Sequence, residues 1–306
     1  TRRREGRPAA HAGLVYPADP EQLASFVDAM VDGKGGDLPE GVRARCVVAP
    51  HIDFERGRSA YGAAYGLCRR AIEADTFIIL GVAHAPVPGN FFPSSHAYQT
   101  PFGSMEVDGE ALGRVVAALG EGCLGSELIH TDEHSAEFQA VMLKRLFPKA
   151  KMLAILCSHL DEEDREAMEQ ARALAEALRG LLDRQSPRTC LVAGVDLSHV
   201  GPEFGHADPL DEAARDWAAD VDRATMRATL AGNAAGVLEA AARRGPRGQE
   251  PNVCGQAALY VAALALAPCM GTVLEFGRAP TPDGSSLVGF CAAVAWPRSD
   301  SPGDSP

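Results

Sequence analysis

Six short apolar runs punctuate the chain: RCVVA (45–49), TFIILG (76–81), MLAILC (152–157), CLVAGV (190–195), TVLEFG (272–277) and VGFCAAVAW (288–296). They do not alternate polar with apolar positions, which is the pattern of strands buried on both faces. Between them the spacing changes to three and four. It predicts helices over Pro20 to Met30, Ser59 to Ala74, Gly109 to Leu119, Ser135 to Phe147, Glu162 to Asp183, Pro209 to Ala231, Ala235 to Ala242 and Gly255 to Ala267. Strand alternating with helix predicts an α/β fold, a single three-layer α/β/α domain around a central, largely parallel sheet. No repeat and no long linker divides it. The stretch 81–107, rich in Pro, Gly and Ser, is predicted to be one elaborate functional loop over a sheet edge.

Composition narrows the class. With 306 residues and 46% hydrophobic content the chain can bury a sizeable core. Residues 1–9 (basic) and 298–306 (Ser, Pro and Asp) read as a disordered leader and tail, leaving 10–297 as the domain. A net charge of -12, with an Arg cluster only at Arg2, Arg3 and Arg4, argues against nucleic acid. The longest apolar run, 257–267, is far short of the roughly 20 residues of a membrane span. No apolar segment follows the basic leader. A soluble cytoplasmic protein is expected. The eight cysteines show no C-x-x-C pair, so disulfides and structural zinc ribbons are not expected.

The chemistry concentrates at strand ends, where α/β sheets bind ligands. The four residues after each of the first four strands are PHID (50–53), VAHA (82–85), SHLD (158–161) and DLSH (196–199). Each holds a histidine, in a chain that has 9. Imidazole binds zinc, copper and iron and leans its second nitrogen on a carboxylate. Asp53, Asp161 and Asp196 are candidates for that support. A helical turn after the fourth strand would put Asp196 and His199 on one face. Strand-end histidines can equally satisfy loop carbonyls, and His159 also reads as the approach to an acidic helix start. His134 and Glu137, at i and i+3, suit metal or proton transfer, or simply open a helix whose Ala140, Val141, Leu143, Leu146 and Phe147 face the core. Cys254, directly before a helix, would face the positive end of the macrodipole, which lowers a thiol's pKa. It also reads as a packed cysteine of a capping region.

The segments HAGLVYPADPEQL (11–23), VVAPHIDF (47–54), IILGVAHAP (78–86), TPFGSMEVD (100–108), DEHSAEFQ (132–139), VDLSHVG (195–201) and VCGQAALY (253–260) stand in the order found in the Memo family. Prokaryotic members of that family are called AmmeMemoRadiSam system protein B. The resemblance covers about residues 10 to 296. It implies a fold related to LigB-type class III extradiol dioxygenases, non-haem iron enzymes. It matches His51 to the histidine of A-P-H-A-G-Y, His84 to the first histidine after the second strand, Asp196 and His199 to D-x-x-H, and Cys254 to C-G. It therefore implies a mononuclear metal, Fe(II) or Cu, with Zn also compatible, on His51, His84 and Cys254. His199, Asp196 and His134 are implied as catalytic neighbours. Cys254 stands where the dioxygenases carry a glutamate, a change that favours other chemistry than ring cleavage. Departures are Asp53-Phe54 for Gly-Tyr and Gly-Val-Ala-His for Gly-Pro-Ser-His. The implied function is metal-dependent redox activity on an unidentified small molecule. Alternatives are peptide or protein binding in the same cleft, and a hydrolase with Cys254 as nucleophile, His199 as base and Asp196 as orienter. Radical-SAM and AMMECR-type proteins are the partners implied.

Overall fold

The computed structural model describes residues 6–183, 188–207 and 210–298. Residues 1–5 of the expected leader, the tail from residue 299 and the expected helix start at Pro209 lie outside the described residues. The elements run α1 (Pro20–Val31), β1 (Cys46–Ala49), α2 (Arg58–Ala71), β2 (Thr76–Val82), β3 (Phe91–Pro93), β4 (Tyr98–Thr100), β5 (Gly103–Met105), α3 (Gly109–Leu119) and α4 (His134–Leu146). They continue with β6 (Lys151–Cys157), α5 (Arg165–Leu182), β7 (Thr189–Gly194), β8 (Asp196–Val200), α6 (Glu212–Leu230), α7 (Ala234–Ala241), α8 (Gln256–Leu266), β9 (Cys269–Pro280) and β10 (Leu287–Pro297).

The fold is α/β, with a mixed sheet ordered β3-β6-β2-β7-β1-β10-β8 and β9 paired to β10. Its centre is parallel: β2 pairs in parallel with β6 and β7, and β1 with β7. The flanks, β3 on β6 and β10 on β1, β8 and β9, are antiparallel. Because side chains alternate along a strand, the parallel strands feed two cores. Val47, Ile79, Ala154 and Val192 pack under α1, α2 and α4. Val48, Ile78, Leu153 and Leu191 pack against α3, α5, α7 and α8. Helices on both faces make the three layers that the apolar runs predicted.

Four expectations change. The run 272–277 lies in β9, a half-exposed outer strand that pairs with β10, so it is not buried on both faces. The loop 81–107 contains β3, β4 and β5, three residues each, with β4 and β5 forming their own small sheet. Asp196 to His199 belong to β8 rather than to a helical turn, because β10 offers this segment an antiparallel partner. The leader is in part packed chain: Arg7 is buried, and its backbone N–H donates to the Ala97 carbonyl at 2.7 Å.

Candidate metal centre

Parallel strands send their carboxyl ends to one edge of the sheet, and the chain leaving β1, β2, β6 and β7 there supplies His51, His84, His159 and Asp196. Helix α4 adds the next component. Its amino end sits on Gly81 and Gly194, where a Cβ would lie 2.7 Å from Ser135 Oγ and 2.7 Å from the Ser135 carbonyl oxygen, respectively. Only glycine allows that approach, and it carries His134 to the strand ends. His51, His84, His134, His159 and Asp196 line one cleft of about 1430 Å³, together with His11, His199 and Cys254.

Three imidazoles gather at its floor. His51, His84 and His134 each offer one ring nitrogen, and these three atoms lie within 4.8 Å of one another. The rings of His84 and His134 stack at 4.8 Å, and His51 meets both edge-on at 5.1 and 5.2 Å. His51 Nδ1 lies 3.0 Å from the Gly194 carbonyl oxygen, to which it donates, so that Nε2 carries the lone pair. The Asp196 carboxylate accepts from the His51 backbone N–H at 3.0 Å. Glu133, before α4, accepts from His84 Nδ1 at 3.0 Å, from the His84 N–H at 3.1 Å and from the Ser135 N–H at 2.9 Å. It lies 3.4 Å from His134 Nδ1.

The electrostatics favour neutral imidazoles, the state that ligates metal. Burial, with the neighbouring His84 adding to it, drives His51 down to about 3. Burial and the charge of His51 bring His134 to about 4. Burial also lowers His199. His84 differs: burial lowers it, but the bond to Glu133, the charge of Glu133 and that of Asp196 together outweigh burial, and the net shift is upward. Burial raises Glu133, yet His84 and His134 overcome this and hold its carboxyl at about 2. The donor set thus fits a divalent or monovalent transition metal, with three imidazole nitrogens, a carboxylate behind two of them and a carbonyl behind the third.

The other sequence candidates fall around this triad. Cys254 stands beside it: Sγ is 3.5 Å from His51 Nε2 and 3.5 Å from the Asp196 carbonyl oxygen. Its thiol pKa is raised, not lowered, with burial the first cause and the Asp196 carboxylate the second. The imidazole hydrogen-bonded to the thiol is that of His51, not of His199. His199 points Nδ1 at the Leu197 carbonyl at 3.0 Å and packs edge-on against Phe204 at 4.9 Å. His159 lines the cleft from a loop that precedes α5 and contacts the Gln256 amide at 3.0 Å. Asp161 stays in that loop, accepting from the Glu163 N–H at 2.9 Å. Asp53 does not orient His51; it caps its own turn and pairs with Arg56. Glu137 is buried in an ion pair with Arg7, so it does not face the triad.

Glu133 is the residue that sequence reasoning missed. An acidic residue in the capping position before a helix that opens with histidine was its one signal. His11 was missed as well; it lines the cleft with its Nδ1 3.1 Å from Glu137, and its ring lies edge-on to His134 at 5.9 Å.

Fold and site together define an α/β protein with a polyhistidine cleft at the carboxyl edge of its sheet. The chain matches the family described as Memo-like protein over residues 7–294, and it belongs to that family. A MEMO1 family protein of Aquifex aeolicus is 31% identical over 212 residues, 69% of this chain and 53% of that protein. One of Thermus thermophilus is 34% identical over 199 residues, 65% of this chain and 56% of that one. The chain thus spans about half the length of these two relatives. One of Methanopyrus kandleri is 27% identical over 301 residues, 94% of this chain and 98% of the relative. The crystal structure of an uncharacterized Escherichia coli K12 protein aligns with TM-score 0.43 at 16% identity, covering 83% of this chain and all of that one. Among the described residues no helix is long and apolar enough to cross a membrane.

Proposed function

We propose that this protein binds a mononuclear redox metal, iron or copper, in the cleft and acts there on a small oxygen-bearing molecule. One observation carries the reading: three imidazoles with ligand atoms within 4.8 Å of one another, those of His51 and His84 anchored by hydrogen bonds through Nδ1. In this reading His51, His84 and His134 are the ligands, supported by the mutual approach of their ring nitrogens. Cys254, beside His51, adds a soft donor that favours copper and tunes iron; zinc suits the same donors without redox chemistry.

When bound, the metal supplies Lewis acidity and a redox couple. The chain supplies the rest. Asp196 fixes the backbone of His51, and Glu133 fixes His84 and faces His134. His199, kept neutral near pH 7 by burial, accepts a proton from the bound molecule.

The test is metal content and stoichiometry after purification without air, for the wild type and for His51→Ala, His134→Ala and Cys254→Ser. One equivalent in the wild type, loss in both histidine variants and an altered sulfur-to-metal charge-transfer band in Cys254→Ser are expected. Unchanged stoichiometry in the histidine variants overturns the assignment.

A further inference from the structure

The amino-terminal segment, which composition alone reads as a leader, ends inside the supports of the triad. Arg7 is 5% exposed. Its Nε donates to the His130 carbonyl at 2.6 Å and Nη2 to the Glu133 carbonyl at 2.7 Å. Nη1 donates to the Pro8 carbonyl at 2.8 Å and to the Glu137 carboxylate. The guanidinium covers the Tyr98 ring, 4.8 Å from its centroid. Main-chain bonds to Ala97 and from Gln99 hold the segment itself in place.

Glu137 is saturated in turn. Besides Arg7 it accepts from the Tyr16 hydroxyl, from the Ala10 N–H at 3.1 Å, and from the His11 N–H at 2.9 Å. A buried ion pair of this kind is an expensive way to add stability, since apolar residues of similar volume do as well or better. What a guanidinium adds is direction: a planar fork whose donors fix several acceptors at once. Two of those acceptors, the carbonyls of His130 and Glu133, belong to the turn that leads into α4. The side chain of Glu133 holds His84, and the next residue is His134.

We propose that Arg7 is a positioning residue for the three-histidine centre, its guanidinium setting the 130–133 turn and Glu137 and through them Glu133 and His134. This rests on the metal-binding reading above. The segment that carries Arg7 also delivers His11 to the cleft wall, so one clamp shapes the floor and one side of the site.

The experiment titrates the full-length apoprotein with Co(II), reading affinity and the d–d absorption spectrum, with thermal unfolding measured in parallel. Arg7→Ala is expected to bind Co(II) about 10–100-fold more weakly, the range seen when a support behind a metal ligand is removed. Its spectrum is expected to change, and millimolar guanidinium is expected to restore both by occupying the vacated space. Arg7→Lys keeps charge and most of the volume and so keeps the fold; its affinity is expected between the two. Folded Arg7→Lys and Arg7→Ala proteins with wild-type affinity and spectrum overturn the proposal. So does a loss that guanidinium fails to restore and that only follows the fall in thermal midpoint. Failure of the wild type itself to take up Co(II) is a different result, one that overturns the metal reading.

Discussion

Replacing Glu133 with glutamine tests the electrostatic account of the site without touching a ligand. In the folded apoprotein the carboxyl titrates at about 2 instead of its ordinary 4.5. At 1.36 kcal/mol per pH unit, that difference corresponds to about 3 kcal/mol of stability at neutral pH. Because the folded value is depressed, the contribution is complete above the unfolded value and is lost as pH falls toward the folded one. At pH 3.5 linkage removes about 1.4 kcal/mol of it. Glu133→Gln keeps the shape and still accepts from the Ser135 N–H, so about 3 kcal/mol is an upper bound on its cost at pH 7. Urea unfolding of metal-free wild type and variant at pH 7 and pH 3.5 gives the comparison. The variant should be destabilised at pH 7, and the gap should narrow by about 1 kcal/mol at pH 3.5. A gap equal at both pH values, or none at pH 7, refutes the claim that the carboxylate is held by its imidazole neighbours.

Three further outcomes follow from particular contacts. Gly194→Ala would put a Cβ 2.7 Å from the Ser135 carbonyl oxygen and 2.8 Å from Gln139 Cγ; chemical denaturation should show a loss of about 1–3 kcal/mol, as for overpacked cores, and Co(II) affinity should fall as α4 shifts. Burial raises buried Asp222 to about 6 from 3.8, so its carboxyl favours folding at low pH and costs stability as pH rises through 6. Asp222→Asn should therefore gain up to about 3 kcal/mol relative to wild type at pH 8 and about 0.6 kcal/mol at pH 4, read from denaturation at the two pH values. Cys254, its thiol pKa raised by burial and Asp196, should alkylate more slowly with iodoacetamide at pH 7.5 than free glutathione does; mass spectrometry of the metal-free protein measures this, and rapid metal-independent labelling would favour the nucleophile mechanism instead.

The central strands were legible because a strand covered on both faces must be apolar along its length, and β1, β2, β6 and β7 are, apart from the first residues Thr76, Lys151 and Thr189. The short strands β3, β4 and β5 were not, since three residues in a Pro- and Gly-rich stretch carry no periodicity; pairing with β6, or with each other, makes them strands. The same limit shaped the site. His51 and His84 could be read from sequence because parallel strands converge at their carboxyl ends whatever lies between them. His134 could not be placed, because it reaches them only through the seating of α4 on Gly81 and Gly194. Asp53 and Asp196 show the converse: the acid nearest His51 in sequence serves its own turn, and the one that holds His51 is 145 residues away.

The start of α4 joins the two sequence readings in one place: Glu133 caps the helix, and His134 stands in the three-histidine cluster. Glu133 and Glu137 are four residues apart and so lie on one side of its first turn. Glu133 accepts from His84 and faces His134; Glu137 accepts from Arg7, Tyr16 and His11. Each carboxylate is matched to a histidine of the cleft, one on the floor and one on the wall. The first turn of α4 therefore cannot shift without moving Glu133, His134 and the Glu137 anchor of His11 together. On the proposed metal-binding function, stability of the amino-terminal segment and affinity for metal are therefore coupled through a single turn of helix.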